Sequence, residues 1–363
     1  MHQACNLPGS DLAQRLLQHF RAYTRDPAVW EDLWLQIFHH QRKHHPIYRR
    51  FVQVYRTDVR TYRDIPPVPI TVFKYHWIGI GPPEQAAMIF RSSGTTRGIA
   101  GRSQHPFFRP ELYRTAALRH FQTMVLPDRS TIRMLILGPT TRYIADSSLG
   151  QMLDWIRTAF GTPDSLHAWT PEGPDLARAT EWILRYRSEE TPILIFGTAI
   201  ALYEWTVWIR ERQISAGPLP PGSRIVETGG FKGRRIQIDR WTLYRDLHAL
   251  FQVPLELIGS EYGMTELGSQ FYDNTFRAHL TGTTVLRRRL IGPPWVYVQI
   301  WDPHRWQPAP SGDTPGPICV FDPVNLDSIA FIVTEDMGTL DDAGLILHGR
   351  LPGAEPRGCS LIA

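Results

Sequence analysis

Five stretches of this sequence concentrate residue types that bind phosphate, hold a divalent cation or attack an acyl group. The first is Arg91 to Thr96, RSSGTT, directly after the apolar MIF. Ser92, Ser93, Gly94, Thr95 and Thr96 supply hydroxyls and backbone N–H groups suited to phosphate oxygens, although a Ser/Thr-rich surface turn has the same composition. No lysine lies near it, so it is not a Walker A loop. The second, Glu227 to Arg234 (ETGGFKGR), pairs Gly229 and Gly230, which allow close backbone approach to a ligand, with the positive charge of Lys232 and Arg234. A hairpin turn with a solvated basic pair is the plainer alternative. In Gly259 to Gln270 (GSEYGMTELGSQ), the run YGMTE offers a stacking surface, a phosphate contact and a metal ligand, or else the capped start of a helix. In Thr334 to Gly338 (TEDMG), which is expected to end an apolar strand, Asp336 can accept hydrogen bonds from vicinal hydroxyls, as acidic residues do on a ribose, or simply occupy an acidic turn. The last is His348 to Leu361 (HGRLPGAEPRGCSL). There Cys359 sits two residues from Arg357, whose charge favours the nucleophilic thiolate; an inert thiol is the alternative.

These stretches need elements to position them. Apolar spacing predicts helices within residues 10–56, over 111–122 and over 175–187. Short apolar runs at 88–90, 132–138 and 192–197 read as strands, and the prolines of IPPVPI at 65–70 mark an extended connector. Strands alternating with helices imply a layered α/β sheet. From about residue 283 the texture changes to strands and turns, VYVQIW, GPICVF, SIAFIV and LILHGR. The expected division is a helical region at 1–75 packed on the core, an α/β core at 76–282, a β-rich subdomain at 283–349, and a hinge and tail at 350–363.

Composition narrows the function. The 363 residues are 42% hydrophobic and 20% charged, which excludes disordered and coiled-coil classes. Net charge is only +4, so nucleic acid is not an expected partner. Three scattered cysteines, Cys5, Cys319 and Cys359, make neither a disulfide framework nor a CxxC metal site. With no secretory signal and no run of the ~20 apolar residues a membrane span needs, the expected location is the cytoplasm. His39, His40, His44 and His45 tempt a metal assignment, but no third ligand lies nearby and a solvated helix end is the expected reading. Arg287 to Arg289 read as a solvated strand face.

Taken in order, the motifs resemble the adenylate-forming enzymes, and most closely the LuxE-type acyl-protein synthetases, which are related to phenylacetate-CoA ligases. The resemblance covers most of the chain: IPPVPITVFK, FRSSGTT, the S-x-H of Ser103 and His105, DSSLGQM at 146–152, ETGGFKGR, EYGMTELGSQFYD, NLDSIAFIVTEDMG and GRLPGAEPRGCSL. One departure is that the family glycine after SSGTT is Arg97 here. The resemblance implies the α/β core of these enzymes with a β-rich subdomain, without the full mobile C-terminal domain. It implies ATP and Mg²⁺ as cofactors and a carboxylic, fatty-type acid as substrate, activated as an acyl-adenylate with release of pyrophosphate. Residue by residue, Ser92 to Thr96 would hold the departing phosphates, and Gly229, Gly230 and Phe231 would border the adenine and acyl pockets. Tyr262 would stack on adenine, with Gly263 and Met264 beside it, Thr265 would contact the α-phosphate and Glu266 would hold Mg²⁺. Asp336 would bind the ribose and Arg350 would lie at the hinge. None of the three lysines, Lys43, Lys74 and Lys232, lies beyond residue 232, so Arg97, Lys232 and Arg234 would supply the positive charge. Cys359 would be the acyl acceptor, delivering to an acyl reductase or acyl carrier protein. The rivals are an acyl- or aryl-CoA ligase using the same site, for which Cys359 is dispensable, and a nucleotide-binding scaffold subunit without catalysis.

Overall fold

The computed structural model describes residues 7–55, 58–92, 102–229, 238–302, 304–305, 307–309 and 314–352. Three amphipathic helices open the chain, α1 (Ser10–Ala22), α2 (Pro27–His44) and α3 (Pro46–Tyr55). Asp26 caps α2 by accepting from the Ala28 amide at 3.1 Å, with Pro27 in the first turn where its missing N–H costs nothing. The connector expected at 65–70 is extended, and within it β1 (Val68–Pro69) pairs in parallel with a strand more than 260 residues away, Val68 opposite Ile332. After the single turn of α4 (Val72–Tyr75), β2 (Met88–Arg91) and β3 (Gln104–Phe107) form a separate antiparallel hairpin.

An α/β alternation follows: α5 (Pro110–Val125), β4 (Arg133–Leu137), α6 (Ser148–Phe160), β5 (Leu166–His167), the small hairpin β6 (Trp169–Thr170) and β7 (Gly173–Pro174), α7 (Leu176–Tyr186), β8 (Ile193–Thr198), α8 (Ala199–Glu211), β9 (Arg224–Thr228), α9 (Arg240–Phe251) and β10 (Ile258–Tyr262). Strands β5, β4, β8, β9 and β10 lie side by side and parallel. β4, β8, β9 and β10 are buried throughout, as expected of a parallel sheet covered on both faces. Ser147, Thr198 and Asp239 cap α6, α8 and α9.

The remaining elements are β11 (Phe271–Asp273), α10 (Asn274–Leu280), β12 (Leu290–Ile291), β13 (Tyr297–Asp302), β14 (Gln307–Pro308), β15 (Gly316–Phe321), β16 (Phe331–Asp341) and β17 (Gly344–Arg350). These strands do not build a second sheet. They continue the first one antiparallel, in the order β14-β13-β15-β16-β17-β12-β11-β10, giving thirteen strands with β1 among the described residues. The helical layer packs on this far half through aromatic contacts, Phe20 on Trp295 at 4.7 Å and Trp34 on Tyr297 at 5.6 Å between ring centroids.

Three expectations need correction. TEDMG does not end its strand: β16 runs on to Asp341 with a register shift between Met337 and Gly338. The Arg287 to Arg289 run is not a solvated face. Arg288 donates to Asp273 at 2.6 Å and to the carbonyls of Ile258 and Leu255, and Arg289 pairs with Asp341. Among the histidines, His45 is buried and bonded through Nε2 to the Ile78 carbonyl, so that end of α2 is an internal joint. Among the described residues no helix is long and apolar enough to cross a membrane.

Candidate active site

Parallel strands bring their C-terminal ends to one edge, and loops leaving that edge are where open α/β sheets bind ligands. Here that edge carries Thr228, which ends β9, with Gly229 after it, and Tyr262, which ends β10, with Gly263 through Glu266 after it. Gly229 has φ +81° with open space around its Cα, a backbone state that favours glycine. The segment after Tyr262 is not a helix start: residues 263–270 form a chain of turns.

That turn segment is held by its backbone, from outside. His105, on β3, puts Nδ1 2.7 Å from the Thr265 carbonyl. A carbonyl only accepts, so Nδ1 carries the proton and Nε2 is left to accept from the Ser328 hydroxyl at 2.9 Å. Burial pushes His105 down to about 4, so it stays a neutral clamp at any physiological pH. Asn325 donates to the Glu266 carbonyl at 2.9 Å. Asp322 accepts from the amides of Gly268 (2.9 Å) and Ser269 (2.8 Å), and from the Ser269 hydroxyl. The stretch 322–328 therefore braces the backbone of 265–269.

Across the site, the Tyr262 hydroxyl donates to Asp336 at 3.1 Å, and Arg350 lies 2.7 Å from Glu335 and 3.5 Å from Asp336. Tyr262 and Asp336, expected to share a nucleotide, and Arg350, expected at the hinge, are thus brought together. The neck of the Ser/Thr-rich loop is also defined. Ser92 and Ser103 are joined by Ser92 N to Ser103 O (3.1 Å) and Ser103 N to Ser92 Oγ (2.8 Å). Arg102 spans the neck, donating to the carbonyls of Ser92 and Arg91 and pairing with Asp146 at 3.0 Å. Ser93, Gly94, Thr95, Thr96, Gly230, Phe231, Lys232 and Cys359 lie outside the described residues, as do Arg97 and Arg234. Cys319 sits in β15, fully buried, and burial raises its thiol far above the ordinary value, which makes it a poor nucleophile.

Sequence reasoning missed several members of this site. Glu261 is 4% exposed, and burial, opposed by a hydrogen bond from Thr228 and reinforced by Glu227, pushes its carboxyl up to about 7. A Cβ on Gly263 would stand 2.5 Å from its Oε1, which is why glycine follows Tyr262. The signal was a carboxylate inside the strand IGSEY. The roles of His105, Asp322, Asn325 and Asp146 depended on contacts between segments far apart in sequence.

Glu266 is buried, and among the described residues no three His, Cys, Asp or Glu side chains cluster as a metal site. A single carboxylate suits Mg²⁺ that arrives with the phosphates of a nucleotide and keeps most of its ligands from phosphate and water.

Comparison with known proteins follows the same lines. The sequence profile of the LuxE acyl-protein synthetases matches residues 22–362. The chain is 24% identical over 327 residues to the long-chain-fatty-acid–luciferin-component ligase of Aliivibrio fischeri, covering 88% of this chain and 79% of that protein. Among solved structures it resembles 2-hydroxyisobutyryl-CoA ligase. An open conformation in complex with 2-HIB-AMP and CoA gives a TM-score of 0.58 at 13% identity, covering 95% of this chain and 76% of that one. A postadenylation state in complex with 2-HIB-AMP gives 0.60 at 12% identity, covering 96% and 70%. At that identity the likeness is one of fold.

Proposed function

Because this chain belongs to the LuxE acyl-protein synthetase family and is an AMP-forming ligase, we propose that it activates a fatty-type carboxylic acid with MgATP and passes the acyl group to its own Cys359. The observation that carries this reading is the convergence of Tyr262, Asp336 and Arg350 beside the braced Thr265–Glu266 turn, at the carboxyl edge of the parallel strands.

In the first step a carboxylate oxygen of the acid attacks the α-phosphorus of ATP. The bond from that phosphorus to the bridging oxygen breaks and pyrophosphate leaves. Negative charge builds along the polyphosphate, and preorganised donors aimed there lower the barrier. Ser92 to Thr96 would take the departing phosphates, Thr265 the α-phosphate, and Asp336 the ribose hydroxyls. Glu266 would hold the Mg²⁺ that arrives with the nucleotide and neutralises phosphate charge, while Lys232 supplies further positive charge. In the second step the Cys359 thiolate attacks the acyl carbonyl, the carbon–oxygen bond to AMP breaks and AMP leaves, giving an acyl-enzyme thioester. An acyl reductase or a carrier protein would then take the acyl group.

Intact-mass measurement after incubation with ATP, Mg²⁺ and a series of fatty acids tests the whole reading. A covalent acyl adduct that hydroxylamine removes, lost in Cys359→Ala while acyl-AMP still forms, is the expected result. Turnover only with added CoA would move the chain to the CoA ligases. Absence of AMP with every acid would leave a nucleotide-binding scaffold.

A further inference from the structure

β10 alternates its side chains between the two faces of the sheet. Ser260 points toward α9, where its hydroxyl meets Tyr244 at 2.9 Å and Glu227 at 2.6 Å, and Tyr262 shares that parity. Glu261 points the other way, with Gly259, whose missing side chain would press on Phe276 of α10. Its neighbours in register are Thr228 on β9 and Tyr272 on β11. Tyr272 places that face under α5, with its ring 5.9 Å from Phe121 and 5.3 Å from His120.

This face is unusual in polarity. Glu261, Thr228 and Tyr272 are 4%, 4% and 0% exposed. Thr228 donates to Glu261, but the buried Tyr272 hydroxyl meets no hydrogen-bond partner among the described residues. A carboxyl and an unpaired phenol on neighbouring antiparallel strands, directly opposite in register, stand close enough to share one small polar group. They do so one residue from Tyr262 and from Gly229, on the face opposite the Tyr262–Asp336 contact. If the nucleotide occupies the Tyr262 face, an acid held at the strand ends can run its tail along the α5 face and meet them. A hydroxyl both donates and accepts, so one hydroxyl satisfies both groups.

On the basis of the adenylation reading above, we propose that Glu261, Thr228 and Tyr272 form a specificity point in the acyl site, selecting carboxylic acids that carry a hydroxyl on the chain over the unsubstituted acids. A site built to pair a substrate hydroxyl discriminates against the analogue lacking it because its own buried groups are then left unpaired.

The test is pyrophosphate release by the full chain with straight-chain saturated acids from octanoic to hexadecanoic and with their counterparts hydroxylated at the α, β or terminal carbon. We expect kcat/KM for the best hydroxylated acid to exceed that of its unsubstituted parent by at least ~10-fold. Tyr272→Phe, which keeps the ring and removes the hydroxyl, is expected to bring that ratio toward one, while Glu261→Gln, which still donates and accepts, retains most of it. Equal or better use of the unsubstituted acids by the wild type overturns the proposal alone, as does an unchanged ratio in Tyr272→Phe. Because the wild-type ratio decides by itself, a variant that fails to fold does not blunt the test. No pyrophosphate with any acid overturns the adenylation reading and this one with it.

Discussion

Glu266 and Glu261 lie five residues apart and face different tasks. Glu266 is buried in a turn whose backbone is fixed by Asn325 and whose preceding carbonyl is fixed by His105. On the proposed function its carboxylate holds the Mg²⁺ that arrives with ATP, and Glu266→Gln is expected to lower pyrophosphate release by ~100-fold, the scale seen when a charge is removed from a transition-state site. Titration of activity against Mg²⁺ checks the assignment, since a purely structural glutamate leaves the Mg²⁺ dependence unmoved. Glu261 carries a stability signature instead. Its folded value of about 7 lies above the ordinary 4.5, because burial outweighs the Thr228 hydrogen bond. Between those values the folded state keeps a proton that the unfolded state releases, so the contribution of this group to stability is present below about pH 4.5 and is lost as pH rises through 7. Glu261→Gln, which does not titrate, should therefore gain in Tm relative to the wild type as pH goes from 5 to 8. A difference that stays flat with pH contradicts the shift.

At the scale of elements, the short stretch from Asp322 to Ser328 links the active-site turn to the rest of the protein. Besides Asp322 and Asn325, it contributes Asp327, buried against Arg109 at 2.5 Å, and Ser328, bonded to His105. Gly268 lies against this stretch so closely that a Cβ there would fall 2.2 Å from Val324 Cγ1. Gly268→Ala must push the two segments apart. It is expected to destabilise the fold by about 1–3 kcal/mol, as overpacking does, and to lower kcat for adenylation by loosening the turn that carries Thr265 and Glu266. Urea unfolding and pyrophosphate release measured on the same preparation check both parts. Neutral His105 acts at the same joint: His105→Ala should lower kcat, whereas His105→Asn, which keeps a donor near the Nδ1 position, should recover part of it. Equal loss in both variants would count against the clamp.

For the whole molecule, the question is how a helical layer near the N-terminus bears on a site built much later in the chain. Gln41, fully buried in α2, donates to the carbonyls of Asn325 (2.8 Å) and Leu326 (3.1 Å) and accepts from the Ala330 amide (3.2 Å). One side chain thus closes a contact over more than 280 residues and holds the same stretch that braces the site. Gln41→Leu leaves three backbone groups unpaired in the interior, and we expect a loss of about 2–5 kcal/mol at the cost of roughly 1–3 kcal/mol for each unsatisfied buried group, softened by relaxation. Chemical denaturation measures it, and a change below the noise would mean that water replaces the amide there.

The α/β class was legible in the sequence, because the alternation of apolar strands with helices is a local property of the chain. RSSGTT, ETGGFKGR and YGMTE suggest phosphate and nucleotide chemistry in the same local way, through hydroxyls, glycines and a carboxylate at close spacing, and that expectation is what the proposed function carries forward. Local patterns do not record which distant residues meet. The run after residue 283 reads as β-rich, but only the structure shows that β12 joins it to β11 and β10 in one sheet; strand pairing is decided by backbone partners across the fold, not by the strand's own residues. Arg288 and Arg289 read as part of a solvated strand face, and only the arrival of Asp273 and Asp341 makes them anchors. In the same way Asp322 and Gln41 are ordinary polar residues in the sequence. Their roles come from long-range hydrogen bonds to main-chain groups, which any residue type presents alike and which leave no mark on the sequence of their partners.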